Sequence, residues 1–299
     1  MKTIVIANEA AGGGRCKRHV SRTLDALRDG GLVFDVARTR APGDATHLAR
    51  RAYDNGARRF VVLGGDGTTF EVVNGLFPKP HKEDPIELGL VPLGTGNSFL
   101  RDFGIVSRQQ ALAALLSGSR TPCDVARLEH REGVLFFINL LSLGFSATVG
   151  ALRNARYAHW GTLGYALAVK KGLGALNIKR ARLRVDEQQT WEEIEFVMLS
   201  FSNSQFTGGR MRMAPHADPT DGMLDMIHAG RLSRYQLLRA FPSIYIGTHV
   251  TRPQVQETRV RKAWFSAIDP QAAMIDGEIK TITPQFLEVL PAALQLRVA

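Results

Sequence analysis

LGGDGTTFEVVNGL, residues 63–76, decides how the first part of the chain is read. The apolar run RRFVVL (58–63) leads into it, and a glycine-rich turn holding one carboxylate, Asp66, follows. Threonines come next, and some thirty residues later a second glycine motif, PLGTGNSF (92–99), ends another apolar run. Glycine turns after strands are common; an acid held inside one calls for an explanation.

Around this stretch the chain alternates. KTIVIAN, LVFDVART, RRFVVLGG and IELGLVPLG read as strands, and KRHVSRTLDALRDG and DATHLARRAYDNGA space their apolar residues at helical intervals. Such alternation predicts a parallel sheet with helices on both faces. After Pro122 the rhythm changes. VLFFINLLS, ARLRVDE, EIEFVMLSFSN, MLDMIHAG, KAWFSAI and FLEVLP read as strands separated by turn signals, interrupted by one helical stretch, HWGTLGYALAVKKGLGAL. The expected organisation is an α/β domain over 1–121 followed by a largely antiparallel β domain over 122–299.

Composition narrows the class. The chain has 299 residues and two cysteines, Cys16 and Cys123, far apart and in no CxxC pattern. That argues against a disulfide framework or a zinc site and fits a reducing, cytoplasmic compartment. The N-terminal MKTIVIANEA is too short in apolar residues for a signal-peptide core and reads as a first buried strand. Residues 134–152 carry no charge over a length that could cross a bilayer. Polar and small residues dilute their second half, so a buried strand followed by a loop is expected there.

The net charge is +10, and its placement is uneven. Between Glu132 and Asp186 there is no acid but eight basic residues, Arg153, Arg156, Lys170, Lys171, Lys179, Arg180, Arg182 and Arg184. A block of this kind suits a polyanion or an anionic lipid surface, and equally a solvated basic face.

In a parallel α/β sheet, ligands bind at the carboxyl ends of the strands. Four loops converge there: Asn8 with Gly12, Gly13 and Gly14; Thr39; Gly64-Gly65-Asp66-Gly67-Thr68; and Gly94-Thr95-Gly96-Asn97. Glycines let backbone N–H groups approach an anion, and helix N-termini add partial positive charge, so a phosphate-bearing nucleotide is expected. No GxxxxGK[ST] occurs, and Gly94-Thr95-Gly96 lacks the third glycine of a dinucleotide fingerprint. A carboxylate beside phosphates is repulsive unless it helps to hold a cation or a proton in transit. Phosphoryl transfer from a magnesium nucleotide requires that.

GGDGTTFEVVNGL with PLGTGNSFLRDFGI resembles the diacylglycerol kinase catalytic family, which includes sphingosine kinases, ceramide kinases and bacterial lipid kinases. The resemblance continues through NLLSLGFSA, GYALAVKKGL, PHADPTDGMLDM and MIDGEIK, nearly the whole chain. The GGDG turn alone is shared with NAD kinases and phosphofructokinases. The resemblance implies a nucleotide-binding α/β domain followed by a β-sandwich domain, with the active site in the cleft between them. It implies that ATP is the donor with Mg2+ and that Asn8, Thr39, Thr95 and the loop Gly64, Gly65, Asp66, Gly67, Thr68, Thr69 and Phe70 contact the nucleotide. It implies a metal held by Asp218, Asp221 and Met223, some of them by carbonyl oxygens, and Glu278 of Asp276-Gly277-Glu278 as the acceptor of the substrate hydroxyl proton. The expected partners are a membrane lipid substrate and an anionic membrane surface, without nucleic acid, for an enzyme peripherally associated with the membrane; a homodimer is compatible with this reading. The chain departs from the family where Glu9 replaces the usual proline after Asn8, where Phe70 stands for asparagine, and where Ser98 stands for aspartate.

Ordinary readings stand beside these. Thr68-Thr69-Phe70-Glu71 fits a capping box with Thr68 as N-cap, on which a nucleotide role for Glu71 could ride. Asp276-Gly277 is a common hairpin turn, and Asp221-Gly222 an ordinary turn pair. Two rival functions remain open from the residues: a soluble kinase of the NAD kinase type, and a nucleotide- or lipid-binding regulator without catalysis.

Overall fold

A computed structural model describes residues 2–10, 16–78, 85–93, 98–157 and 160–298. The chain forms two compact units, Met1–Val125 with Leu290–Ala299, and Ala126–Val289.

The first unit alternates as its sequence predicts: β1 (Lys2–Ala7), α1 (Lys17–Asp29), β2 (Asp35–Arg38), α2 (Asp44–Asp54), β3 (Ala57–Gly64), α3 (Asp66–Leu76), β4 (Glu87–Pro92) and α4 (Arg108–Ser117). The strands pair in parallel in the order β2-β1-β3-β4. Val5, Ile6, Val61, Val62 and Leu63 are buried, the signature of central strands covered on both faces. Val20, Leu24 and Leu27 give α1 one buried stripe, and Ala45, Ala49 and Tyr53 give α2 another. Helices α2 and α3 approach closely because position 75 is glycine: a Cβ there would lie 2.4 Å from the Thr46 carbonyl oxygen.

Beyond β4 the sheet is completed by the end of the chain, where Gln295 and Leu296 pair in parallel with Glu87 and Leu88. Glu87, 1% exposed, meets Arg59 at 2.8 Å, Arg297 at 3.4 Å and Arg120. This ionic knot ties the amino ends of the strands, opposite the edge where the loops of interest emerge. Residues 290–299, assigned by the sequence to the second domain, thus group with the first.

Strand β5 (Ser119–His130) leads into the second unit, where its later part forms a hairpin with β6 (Gly133–Phe137). There follow β7 (Leu140–Gly144), α5 (Phe145–Leu152), α6 (Gly161–Gly172), β8 (Lys179–Val185), β9 (Glu192–Phe196), β10 (Met198–Ser202), the short pair β11 (Phe206–Thr207) and β12 (Met211–Arg212), β13 (Leu224–Ala229), α7 (Arg234–Ile246), β14 (Val255–Val260), β15 (Lys262–Ser266), β16 (Gln271–Ile275), β17 (Glu278–Ile282) and β18 (Pro284–Val298). One antiparallel sheet runs β14-β13-β10-β7-β16-β17. A second antiparallel set joins β9, β8, β15 and the first part of β18. Every residue of β10 is buried, as the middle of a sandwich-like unit demands.

Two expectations fail here. Residues 145–152, read as loop, form α5. Helix α7 was not foreseen at all, although Ser233 and Gln236 build a complete capping box at its start and Gly247, with φ of 79°, closes it. Among the described residues, no helix is long and apolar enough to cross a membrane.

Candidate active site

In the first unit the candidate residues lie at the carboxyl edge of the parallel sheet. β1 ends at Ala7, and the next residue, Asn8, is fixed three ways. Its amide donates to the Leu63 carbonyl at 2.9 Å, its Nδ2 donates to Thr68 Oγ1 at 3.0 Å, and its Oδ1 accepts from the Ala10 amide at 3.1 Å. Thr39, just past β2, donates its amide to the Ala7 carbonyl at 3.0 Å. Glu9 pairs with Arg38 at 2.8 Å, so an ion pair holds this turn in place of the family's proline.

Gly64 and Gly65 make the turn from β3 into α3. A Cβ on Gly64 would lie 2.6 Å from Thr68 Oγ1, so only glycine lets the threonine sit against the turn. Gly65 is the N-cap in extended conformation, with no side-chain cap, and its carbonyl accepts from the amides of Thr68 and Thr69. Asp66 opens the helix, where the positive end of the dipole favours a carboxylate or a phosphate. Gly65, Asp66, Gly67 and Thr69 are half-buried and reach the surface; Thr68 and Phe70 are buried.

Two expected nucleotide contacts change meaning. Phe70 is 5% exposed, so its ring belongs to the core and only its backbone lies near the turn. Glu71 does not reach back along its own helix. Its Oε1 accepts from the Gly43 amide at 2.8 Å and its Oε2 from the Ala45 amide at 3.1 Å, so it caps α2. The capping box with Thr68 as N-cap is therefore absent, because α3 starts three residues earlier, with Gly65 as its N-cap, and a neighbouring helix end competes for the carboxylate. Thr95, with Gly94, Gly96 and Asn97, lies outside the described residues, as do Gly12, Gly13 and Gly14.

The second unit carries its own candidate residues. Ile275 pairs with Glu278, and Asp276 and Gly277 form the two-residue loop with φ of 48° and 88°. Positive φ at both positions is the hairpin geometry that Asp-Gly favours. Asp276 is 4% exposed, and its carboxylate accepts from three backbone amides: Ile138 at 3.0 Å, Asn139 at 2.9 Å and Leu140 at 3.0 Å. Asp276 is thus a structural anchor. Glu278, the first residue of β17, is exposed and available to a substrate.

In the segment 218–223 the carboxylates are engaged within the turn and by a neighbouring arginine. Asp218 Oδ1 accepts from the Thr220 amide at 3.0 Å and hydroxyl at 2.7 Å. Asp221 Oδ1 accepts from the Met223 amide at 2.9 Å, while its Oδ2 carries the Arg259 guanidinium. Arg261 Nε lies 3.2 Å from Met223 Sδ. Two guanidinium groups thus stand on the segment expected to bind a metal, and no group of three metal-ligating side chains occurs among the described residues. Nearby, burial pushes the Asp225 carboxyl up to about 6, with Glu257 adding to the shift.

Within the same unit a partly open apolar cavity has a volume of about 80 Å³. Val149 and the α6 residues Tyr165 and Val169 line it with Met213, Phe241 and Ile244, the last two from α7. His249 also borders it, donating Nε2–H to the Met213 carbonyl at 3.0 Å; burial holds its pKa below the usual imidazole value.

Comparison with known proteins identifies both units. Residues 2–128 match the diacylglycerol kinase catalytic domain, and residues 139–298 match the YegS C-terminal NAD kinase beta sandwich-like domain. A diacylglycerol kinase of Mycobacterium tuberculosis (strain CDC 1551 / Oshkosh) is 30% identical over 99% of this chain and 94% of its own length. One from Bacillus subtilis (strain 168) is 26% identical over 94% of this chain and 90% of its own. A crystal structure of a diacylglycerol kinase from Bacillus anthracis str. Sterne covers 100% of this chain and 97% of that one, with a TM-score of 0.72 at 21% identity, which shows the shared fold. With a glycine turn built for phosphates in one unit and an exposed carboxylate on a DGE hairpin in the other, the chain belongs to the diacylglycerol kinase catalytic family with a YegS-type C-terminal domain, the family of bacterial lipid kinases and phosphotransferases.

Proposed function

We propose that the enzyme transfers the γ-phosphoryl group of ATP, taken up as its magnesium complex, to a primary hydroxyl of a membrane lipid, with diacylglycerol the first acceptor to test and ceramide the second. The observation that carries this reading is the apolar cavity of the second unit, whose lining suits part of an acyl chain better than a polar acceptor. The relatives named diacylglycerol kinase support the order of testing.

In this reading the amides of the Gly64–Thr69 turn and the α3 N-terminus bind nucleotide phosphates, and Asn8 holds Thr68 in place for them. Asp66 faces the magnesium that accompanies the phosphates. Glu278 accepts the proton of the lipid hydroxyl as its oxygen bonds to the γ-phosphorus; the bond from that phosphorus to the bridging oxygen breaks, and ADP leaves. Because the acceptor stays in a bilayer, the enzyme meets it at an anionic membrane surface, which the acid-free basic block from 133 to 185 favours.

The test is a kinase assay with γ-labelled ATP against a panel of lipid alcohols in mixed micelles. Label in one or more lipids is expected. Label in NAD and in no lipid would replace this reading with the soluble-kinase one.

A further inference from the structure

Helix α7 lies in a second acid-free segment. Between Asp225 and Glu257 there is no acid, and Arg231, Arg234, Arg239 and Arg252 supply positive charge. The helix itself carries Arg234 and Arg239 and no acid, just as α6 carries Lys170 and Lys171 and no acid. The inner faces of both helices wall the same apolar cavity, Tyr165 and Val169 from one and Leu237, Phe241 and Ile244 from the other.

Their outer faces are apolar as well. Of the eleven large apolar side chains exposed among the described residues, six sit on these two helices or on the α6 N-cap: Trp160 at 60%, Leu163 at 70%, Leu167 at 37%, Tyr235 at 66%, Leu238 at 47% and Ile246 at 67%. Tyr165 of α6, by contrast, is 8% exposed and lies on the inner side. Scattered single exposures are ordinary; a concentration on two basic helices is not.

We propose that α7, together with α6, forms a membrane-docking face for an anionic bilayer, with Tyr235, Leu238 and Ile246 entering the interfacial layer and Arg234 and Arg239 meeting lipid phosphates. Charge complementarity selects this occupant: a helix with arginines, aromatic and aliphatic residues and no acid has the composition of an interfacial helix. Arg239 stacks over the Tyr235 ring at 5.5 Å, so the cation and the aromatic ring form one unit at the headgroup level. This rests on the lipid-kinase reading for its purpose but not for its measurement.

Sedimentation with vesicles tests it, using neutral phosphatidylcholine vesicles and phosphatidylcholine vesicles containing phosphatidylglycerol, without nucleotide or acceptor. The parent protein should pellet with the anionic vesicles and be released by high salt. Arg234→Glu with Arg239→Glu, and separately Tyr235→Ser with Leu238→Ser and Ile246→Ser, should each weaken binding at least about tenfold. Both variants should keep turnover on a short-chain soluble acceptor within about twofold, since no altered residue belongs to the site. Parent-like sedimentation of both variants would overturn the proposal, as would equal binding of the parent to neutral vesicles. A parent dimer that the serine variant dissolves, with vesicle binding unchanged, would make α7 a chain–chain interface instead. A parent that binds anionic vesicles yet phosphorylates no lipid would leave docking standing and remove the proposed function.

Discussion

Asp276 and Leu140 bond each other in both directions: the Asp276 amide donates to the Leu140 carbonyl at 3.0 Å, and the Leu140 amide donates to Asp276 Oδ1 at 3.0 Å. The acid of the DGE hairpin is therefore spent on holding the strand β7 entry, which leaves Glu278 as the proposed proton acceptor. Asp276→Ala would strand three buried amides, for a loss of about 3 kcal/mol or more. The melting temperature should fall by roughly 6–12 °C. Calorimetry showing a drop under about 1 °C would mean that the carboxylate is not an anchor.

Asp66→Asn keeps size and helix geometry while removing charge from the phosphate end of α3. The variant should fold like the parent and lose at least about a hundredfold in kcat, the scale of one electrostatic group. Turnover near that of the parent, measured on the purified variant, would sink the assignment of this turn.

Glu278→Gln removes the proton acceptor from an exposed position on β17. Nucleotide affinity should hold and kcat should collapse by about a hundredfold or more. The opposite split, weakened ATP binding with kcat preserved, would make Glu278 a nucleotide ligand.

Glu71→Ala distinguishes a helix cap from a nucleotide contact. Both carboxylate oxygens are on amides of the α2 N-terminus, so stability should drop by about 1–2 kcal/mol. ATP affinity should change less than about twofold. A large loss of affinity in a variant of normal stability would restore the nucleotide role.

The guanidinium on Asp221 predicts that the nucleotide-free protein has the same melting temperature in chelator and in magnesium. A metal-dependent rise would show that the cation displaces Arg259 and that the segment 218–223 is a metal site after all.

Local chemistry made much of the site legible. Gly64 and Asp66 could be read because a glycine turn with an acid is a short-range pattern, and Asp276-Gly277 because two adjacent residues set the turn. Glu71 was misread because its partners, Gly43 and Ala45, lie on another helix, and no spacing in the chain announces them. The orientation of Tyr165 depended on which face of α6 meets Met211 and α7, again a tertiary matter. Helix α7 is different. Its Ser233–Gln236 box and its Gly247 stop were readable, and Pro242 in its middle masked them.

Strand β18 has a consequence for synthesis on the ribosome. The edge of β4 waits for residues 295–296, Asp124 waits for the Ala292 amide at 2.7 Å, and Gly118 waits for Arg297 at 2.6 Å. The unit that emerges first is thus closed last, after Ala126–Val289 has been made. Until then its sheet exposes an open parallel edge, the kind of surface that recruits chaperones or strays into aggregation. The nascent first unit should therefore remain protease-sensitive until residues 290–298 are free to pair with it.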